Sequence, residues 1–193
     1  SDTVSKITPE GVSTTAFAST GDGPTAISID ASGNIYTVNR NSKNISKITQ
    51  AGASTNLYTF ADTPSDITID SFGNLYVVFF SVDKVTKITP SGDFSSATTG
   101  DGPEAITIDS SGNVYTANFG SNTVTKITQA GVVTTTFGTT GAAPRAITID
   151  SSGNIYTANY TANTVSKITP AGLTTTFGNT GTNPNDITID SFG

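Results

Sequence analysis

The chain lacks histidine, cysteine, methionine and tryptophan, and only 12% of its 193 residues are charged. Without histidine or cysteine it forms neither a Ser-His nor a Cys-His nucleophile pair, and an ordinary zinc site or a disulfide is excluded. No apolar run approaches the roughly 20 residues that span a bilayer. These absences exclude several classes of enzyme and argue against insertion into a membrane.

The charged residues are few, with 9 Lys and Arg against 15 Asp and Glu. A net charge of −6 without a basic cluster suits a phosphate backbone poorly, so no nucleic-acid partner is expected. Small hydroxyl residues dominate instead, because 37 threonines and 22 serines make up 59 of the 193 residues. β-Branched threonine favours strands, so the composition indicates an all-β protein.

A repeat of about 40 residues runs through the chain. The string I-[TS]-I-D-[AS]-[SF]-G occurs five times, and each copy follows a proline at the same distance. The aspartates of the five copies are Asp30, Asp70, Asp109, Asp150 and Asp190. Periods near 40 residues are typical of solenoids and propellers.

Each period contains four short alternating segments separated by turn residues. In the period that begins at Pro144, strands are predicted at residues 146–150, 155–159, 165–169 and 174–177. Such runs bounded by Gly, Pro, Asn and Ser are hairpin signals, and no stretch shows the apolar spacing of a helix. Four-stranded units of this length are the blades of a β-propeller. We therefore predict an all-β propeller with about five blades of four antiparallel strands.

The repeated strings resemble those of two related groups of propellers. P-x-A-I-T-I-D-x-S-G-N-[IV]-Y-T-A-N and V-[ST]-K-I-T-[PQ]-A-G are similar to the blades of NHL-repeat and virginiamycin B lyase-like propellers. The resemblance covers nearly the whole chain and implies the propeller fold. Propellers host many unrelated activities, so the resemblance does not by itself imply a function.

The residues that the resemblance would assign to catalysis are missing from the sequence. It implies a lyase that works with histidine and magnesium, or a peptide-processing lyase with histidine-bound zinc, and the chain has no histidine. For RNA-binding NHL domains it implies a basic face, which nine scattered Lys and Arg do not supply. We therefore expect no enzyme, no catalytic residue, no cofactor and no metal.

The chain is expected to form one propeller domain whose ends fall inside a blade. The repeats divide it into a partial blade at residues 1–23, blades at 24–63, 64–102, 103–143 and 144–183, and a partial blade at 184–193. The start matches a third and a fourth strand, and the end matches a first strand. No segment matches the second strand between them, so we expect unpaired strand edges that further blades or a homo-oligomer complete.

One face of the predicted propeller collects the positions at which the repeats differ most. It carries the loops between second and third strands and the residue after each proline. Neutral drift at exposed positions explains this variation, but aromatic rings beside asparagine and charged groups also suit a sugar or a peptide. The candidate rim residues are Asn39, Arg40, Phe80, Glu104, Asn118, Phe119, Arg145, Asn159, Tyr160 and Asn185.

Three further features have structural explanations. The aspartate of each I-D-x-S-G-N turn is a possible calcium ligand, but one carboxylate per turn is a meagre ligand set, and hydrogen bonds to the turn backbone explain it better. The lysines of the third strands are expected to cover apolar surface with their stems. In residues 64–99, adjacent Phe79 and Phe80 indicate either a contact with another chain or simple repacking.

The sequence favours a structural or protein-interaction module. A lectin-like or adhesin-like propeller that binds carbohydrate or peptide on its loop-rich face is the alternative. High threonine content, low charge and the absence of cysteine suit an extracellular or cell-surface protein. The expected partners are other protein chains, with a glycan or a peptide as the alternative, and neither nucleic acid nor a membrane.

Overall fold

In a computed structural model that describes residues 2–190, successive hairpins build four sheets of four antiparallel strands and one sheet of two strands. The two-stranded sheet pairs β1 (Thr3–Ile7) with β2 (Ser13–Ser19). Blade 1 contains β3 (Pro24–Ile29), β4 (Ile35–Asn39), β5 (Asn44–Ile48) and β6 (Ser54–Thr59). Blade 2 contains β7 (Asp66–Ile69), β8 (Leu75–Phe79), β9 (Lys84–Ile88) and β10 (Phe94–Thr98).

The second half of the chain repeats this arrangement. Blade 3 contains β11 (Pro103–Ile108), β12 (Val114–Asn118), β13 (Thr123–Ile127) and β14 (Val133–Thr139). Blade 4 contains β15 (Pro144–Ile149), β16 (Ile155–Asn159), β17 (Thr164–Ile168) and β18 (Thr174–Asn179). A 3-10 helix at Phe80–Val82 lies between β8 and β9, and no helix in residues 2–190 is long and apolar enough to cross a membrane. The prediction of an all-β propeller of four-stranded antiparallel blades is confirmed.

Apolar side chains from neighbouring blades bury one another. Ile67 of blade 2 belongs to one buried cluster with Tyr36 and Val38 of blade 1, and blades 2–3 and 3–4 form equivalent clusters. Ile67 is 4% exposed, whereas Ile27, its counterpart in blade 1, is 54% exposed. The difference arises because the cluster needs a second strand from the preceding blade, and the β1–β2 sheet contains none.

Residues 184–190 form no strand, which differs from the first strand expected there. In blades 1–4 the first strand pairs only with the second strand of its own blade. The described chain offers no such partner beyond β18, so these residues lack the hydrogen bonds that define a strand. The turn expected at residues 191–193 lies outside the described residues.

An aspartate organises the turn between the first two strands of each blade. Asp150 Oδ1 accepts hydrogen bonds from the backbone N–H groups of Ser152 (3.0 Å) and Asn154 (2.7 Å), and Oδ2 accepts from Asn154 Nδ2 (2.8 Å) and the Tyr156 hydroxyl (3.1 Å). Gly153 has φ +80°, a conformation that favours glycine. The same four bonds are made by Asp30, Asp70 and Asp109.

Both oxygens of the carboxylate accept hydrogen bonds within the turn, as expected for an aspartate that stabilises the turn. Burial raises the pKa of Asp150, but the hydrogen bonds from Asn154, Tyr156 and Ser152 together outweigh burial, so the pKa lies below its ordinary value. Within residues 2–190, no three acidic, histidine or cysteine side chains are grouped as a metal site would need. The aspartate therefore stabilises the hairpin as a charged acceptor.

Replacing Asp150 with alanine is expected to lower the free energy of unfolding by about 2–4 kcal/mol, because hydrogen bonds to a charged acceptor contribute about 1.5–3 kcal/mol each and are not additive. Urea denaturation at neutral pH measures the loss. Because the folded pKa is lowered, the difference from the unmodified chain should shrink in acid, as the carboxylate becomes protonated. Ser151→Ala, on the exposed part of the same turn, is the matched control. Equal stabilities of the two variants would contradict the role given to Asp150.

Candidate functional site

The first strands of blades 1–4 surround a central cavity of about 510 Å³. Each strand contributes the residues that directly follow its proline, and Arg40 and residues 185–186 complete the lining. The opening of this cavity on the side of the β4–β5, β8–β9, β12–β13 and β16–β17 loops is the channel mouth. Side chains of both charges line the cavity, namely Arg40 and Arg145 together with Asp66, Glu104 and Asp186.

Four equivalent residues stand at the edge of the channel mouth, each directly after the second strand of its blade: Arg40, Phe80, Phe119 and Tyr160. The backbone N–H groups of Arg40, Phe119 and Tyr160 each donate to the carbonyl of the residue that precedes the proline of the same blade. The three N···O distances are 2.7–2.8 Å. Phe80 begins the 3-10 helix, and its N–H donates to Ser65 Oγ at 3.2 Å instead. The same backbone hydrogen bond thus holds Arg40, Phe119 and Tyr160 while their side chains differ, and Phe80 is held by a side-chain hydroxyl instead.

The guanidinium group of Arg145 is stacked against two of these aromatic rings. Its Cζ lies 3.9 Å from the ring centroid of Tyr160 and 5.7 Å from that of Phe119. The ring centroids of Phe119 and Phe80 are 6.0 Å apart. Arg145 Nη1 donates to Asn185 Oδ1 at 2.9 Å, whereas Nε is buried and has no partner among the described residues.

A cleft of about 290 Å³ opens beside the stacked guanidinium. Arg40, Phe80, Glu104, Phe119 and Arg145 line it. These five residues together with Tyr160 are the channel-mouth cluster. Of the ten candidate rim residues, the structure brings together these six, with Asn185 bonded to one of them. The cluster offers aromatic surface, two cations and one carboxylate at a single cleft.

The other three candidates, Asn39, Asn118 and Asn159, lie beneath the rim and are 0% exposed. Asn118 Oδ1 accepts from Thr116 Oγ1 at 2.8 Å, and its Nδ2 donates to Thr123 Oγ1 at 3.0 Å and Thr125 Oγ1 at 2.9 Å. Asn39 and Asn159 make equivalent bonds. The expectation that these amides face solvent is therefore not met, because burial requires them to bond within the blade.

Phe79 occupies the equivalent position in blade 2 and packs inside the protein. It is 1% exposed, and its ring centroid lies 5.1 Å from that of Phe60 in an edge-to-face arrangement. Lys84 Nζ lies 4.8 Å from the Phe79 ring centroid and also pairs with Asp62 at 3.1 Å. Of the two interpretations offered for the Phe79–Phe80 pair, repacking accounts for Phe79, while Phe80 joins the channel-mouth cluster.

Asp66 is a residue of the channel mouth that was not among the candidates. Alanine holds its position in blades 1, 3 and 4, and comparison of the repeats gives the signal that finds it. Its carboxylate accepts backbone hydrogen bonds from Ile67 (2.8 Å) and Ile106 (2.9 Å). Burial, with a smaller contribution from the charges of Asp186 and Glu104, raises the pKa of Asp66 to about 6 despite these bonds.

Asp66 is expected to make stability fall as the pH rises. Its pKa is about 6 in the folded protein against an ordinary value of 3.8, so its contribution is full below about pH 4 and is lost as the pH passes 6. Asp66→Ala removes this titration. The Tm of the variant relative to the unmodified chain should therefore increase between about pH 4.5 and about pH 7.5. Asp101→Ala removes an exposed carboxylate as a control, and parallel pH profiles for all three proteins would contradict the prediction.

The whole chain, residues 1–193, matches the sequence profile of the virginiamycin B lyase family. The chain belongs to this family. The match confirms the resemblance drawn from the repeated strings. A comparison with curated protein sequences gives no match.

The solved structures that are similar to this member of the virginiamycin B lyase family include a lyase, a gluconolactonase and a chain of a protein complex. Virginiamycin B lyase from Staphylococcus aureus has a TM-score of 0.72 at 24% identity, over 81% of this chain and 55% of that one. XC5397, a gluconolactonase from Xanthomonas campestris, has a TM-score of 0.69 at 15% identity, over 85% of this chain and 64% of that one. A chain of the nidogen/laminin complex has a TM-score of 0.74 at 15% identity, over 84% of this chain and 67% of that one. Such identities show a shared fold, and the chain spans about 55% of the lyase's length.

The expectation that the chain is not an enzyme is contradicted by these comparisons. Its family takes its name from a lyase, and its structural neighbours include that lyase and a gluconolactonase. The absence of histidine excludes mechanisms that need a histidine. It does not exclude the chain from a family that contains enzymes. The third neighbour comes from a complex of two proteins, so a propeller of this fold also binds a protein partner.

Proposed function

We propose that the channel mouth recognises a peptide segment of a partner protein. The stacking of the Arg145 guanidinium against Tyr160 and Phe119, beside a cleft of about 290 Å³, is the observation that carries this proposal. Concave sites with aromatic walls and a few fixed polar groups are typical of ligand binding. Arg145 is already oriented by Asn185 and Tyr160, so little side-chain entropy is lost when a ligand binds.

The polar groups of the cluster match the chemistry of a peptide. The Arg145 guanidinium carries more N–H donors than the one bonded to Asn185, and a peptide carbonyl is an acceptor for them. Glu104 and Arg40 line the same cleft with opposite charges, so it accommodates a peptide N–H or cation as well as a carbonyl or carboxylate. A neutral sugar would stack on Phe80 and Phe119 but would not need both charges.

Carbohydrate binding is the second candidate, since half-buried aromatic rings provide stacking surfaces for sugars as well. The proposal concerns recognition, and it holds for a binding protein and for an enzyme of this family alike. We also propose an extracellular or cell-surface location, which the high threonine content, the low charge and the absence of cysteine support.

Arrays of random hexapeptides and of glycans, incubated with the labelled protein, test the proposal. We expect binding to a subset of peptides, and we expect Arg145→Ala to weaken it at least about tenfold by removing the stacked cation and its donors. Phe72→Ala is the matched control, because this 70%-exposed ring lies on the aspartate-turn face at the other end of blade 2. Binding that Phe72→Ala abolishes and Arg145→Ala spares would contradict the site, and binding to glycans alone would support the second candidate.

Exposed apolar residues on blades 1 and 4 favour self-association of this chain. Ile27 and Ile29 of β3 are 54% and 60% exposed, and Phe177 of β18 is 63% exposed. Light scattering coupled to size exclusion is expected to give a defined oligomer. The double variant Ile27→Ser, Ile29→Ser should form a smaller oligomer than the unmodified chain, because the variant exposes less apolar surface. A monomeric mass for the unmodified chain would contradict this prediction.

A further inference from the structure

An aromatic ring from the fourth strand of a blade covers the turn glycine of the next blade at three interfaces. The ring of Phe137 lies against Gly172, that of Phe17 against Gly52, and the Tyr58 hydroxyl against Gly92. In blade 3 this ring also contacts Tyr115, with 5.8 Å between the ring centroids. The outer part of these interfaces is therefore closed by one aromatic side chain.

The lysine of the third strand lies over two rings in blades 3 and 4. Lys126 Nζ is 5.5 Å from the Tyr115 ring centroid and 5.0 Å from that of Phe137. Lys167 Nζ is 5.3 Å from Tyr156 and 5.9 Å from Phe177. A ring face is negative, so each ammonium is attracted to both aromatic partners.

Blade 2 lacks the second ring because β10 is a regular strand. The pairings of β13 with β14 and of β17 with β18 shift register, and the irregular segment carries Phe137 or Phe177. β10 pairs with β9 without a shift and places Ala97 opposite Val85. The aromatic residue of β10, Phe94, contacts Tyr58 of blade 1 instead, with ring centroids 5.3 Å apart.

The place of the missing ring is a cavity of about 320 Å³ between blades 2 and 3. Tyr76, Val85, Lys87 and Ala97 line it from blade 2, and Val114, Ile127 and the turn 128–131 line it from blade 3. A Cβ added to Gly131, the counterpart of Gly172, would meet no atom within 4 Å. Lys87 Nζ lies 5.6 Å from the Tyr76 ring centroid, and Lys87 lines the cavity at the position that corresponds to Lys126 in blade 3.

We propose that this cavity is a binding site for a small molecule with one aromatic ring. Its ring would take the place that Phe137 takes in blade 3, with one face toward the Lys87 ammonium and its edges against Val85, Val114 and Ile127. An apolar cavity of about 150 Å³ is enough to bind benzene, so the volume is sufficient. Ser95, which lies opposite Lys87 in the β9–β10 pair and lines the cavity, supplies a hydroxyl that suits a phenol. The site is independent of the channel mouth.

Titration with p-cresol, which has the ring of a tyrosine side chain, tests this inference. NMR is expected to show saturable binding at one site, with shifts at the methyl groups of Val85, Val114 and Ile127. Ala97→Phe should weaken binding at least tenfold, because the added ring occupies the cavity. Phe137→Ala should raise the stoichiometry from one site to two, since it opens the equivalent space between blades 3 and 4.

Three results would overturn the proposal. The first is no saturable binding to the unmodified chain, and the second is binding that shifts none of the three methyl-bearing residues. The third is equal affinity for p-cresol and for 4-methylcyclohexanol, its saturated analogue, which has a similar size but no aromatic face. Should Ala97→Phe fail to fold, Ala97→Leu fills the same space with a smaller side chain, and undiminished binding by that variant would count against the site.

Discussion

A blade buries an apolar face only where a neighbouring blade covers it, and the rest of the structure depends on this requirement. Ile67 is buried only because Tyr36 and Val38 of the preceding blade cover it, whereas Ile27 lacks that cover and is 54% exposed. A face that meets another sheet cannot carry isolated charges, which would be costly to desolvate. The blades are therefore built from Ile, Val, Tyr and small hydroxyl residues, and only 12% of the chain is charged.

The same requirement separates residues that hold the fold from residues that are free to change. Buried Asn118 satisfies its amide within the blade and fixes the end of β12, whichever side chain follows. The following position is Arg40, Phe119 or Tyr160 in blades 1, 3 and 4, where the same backbone hydrogen bond holds it, and Phe80 in blade 2. The side chains at the channel mouth can thus differ between blades without a cost in blade packing, in line with the many unrelated functions that propellers host.

The sequence predicts the blades well because their signals are local, and it predicts the site less well because the site is assembled from different blades. Alternation and turn residues locate the strands of blade 4 to within about two residues. Buried Asn159 is misplaced, since a polar side chain in a loop-flanking position normally suggests exposure. Arg145 and Tyr160 lie in one hairpin of blade 4, but the contact of Arg145 with Phe119 of blade 3 depends on how two blades meet at the channel, which no local pattern reports. Asp66 is visible only when one repeat is compared with the others.

Blade 2 shows how one divergent repeat alters two places at once. At the channel end, Phe79 replaces the buried asparagine, and an aromatic contact with Phe60 substitutes for the polar network. At the outer end, β10 lacks the register shift that carries an aromatic ring in blades 3 and 4, and nothing in the described chain refills the space beside Lys87. The first change is compensated by packing and the second is not. An uncompensated cavity lowers stability, so its presence in an otherwise regular repeat is the reason to look for a molecule that fills it.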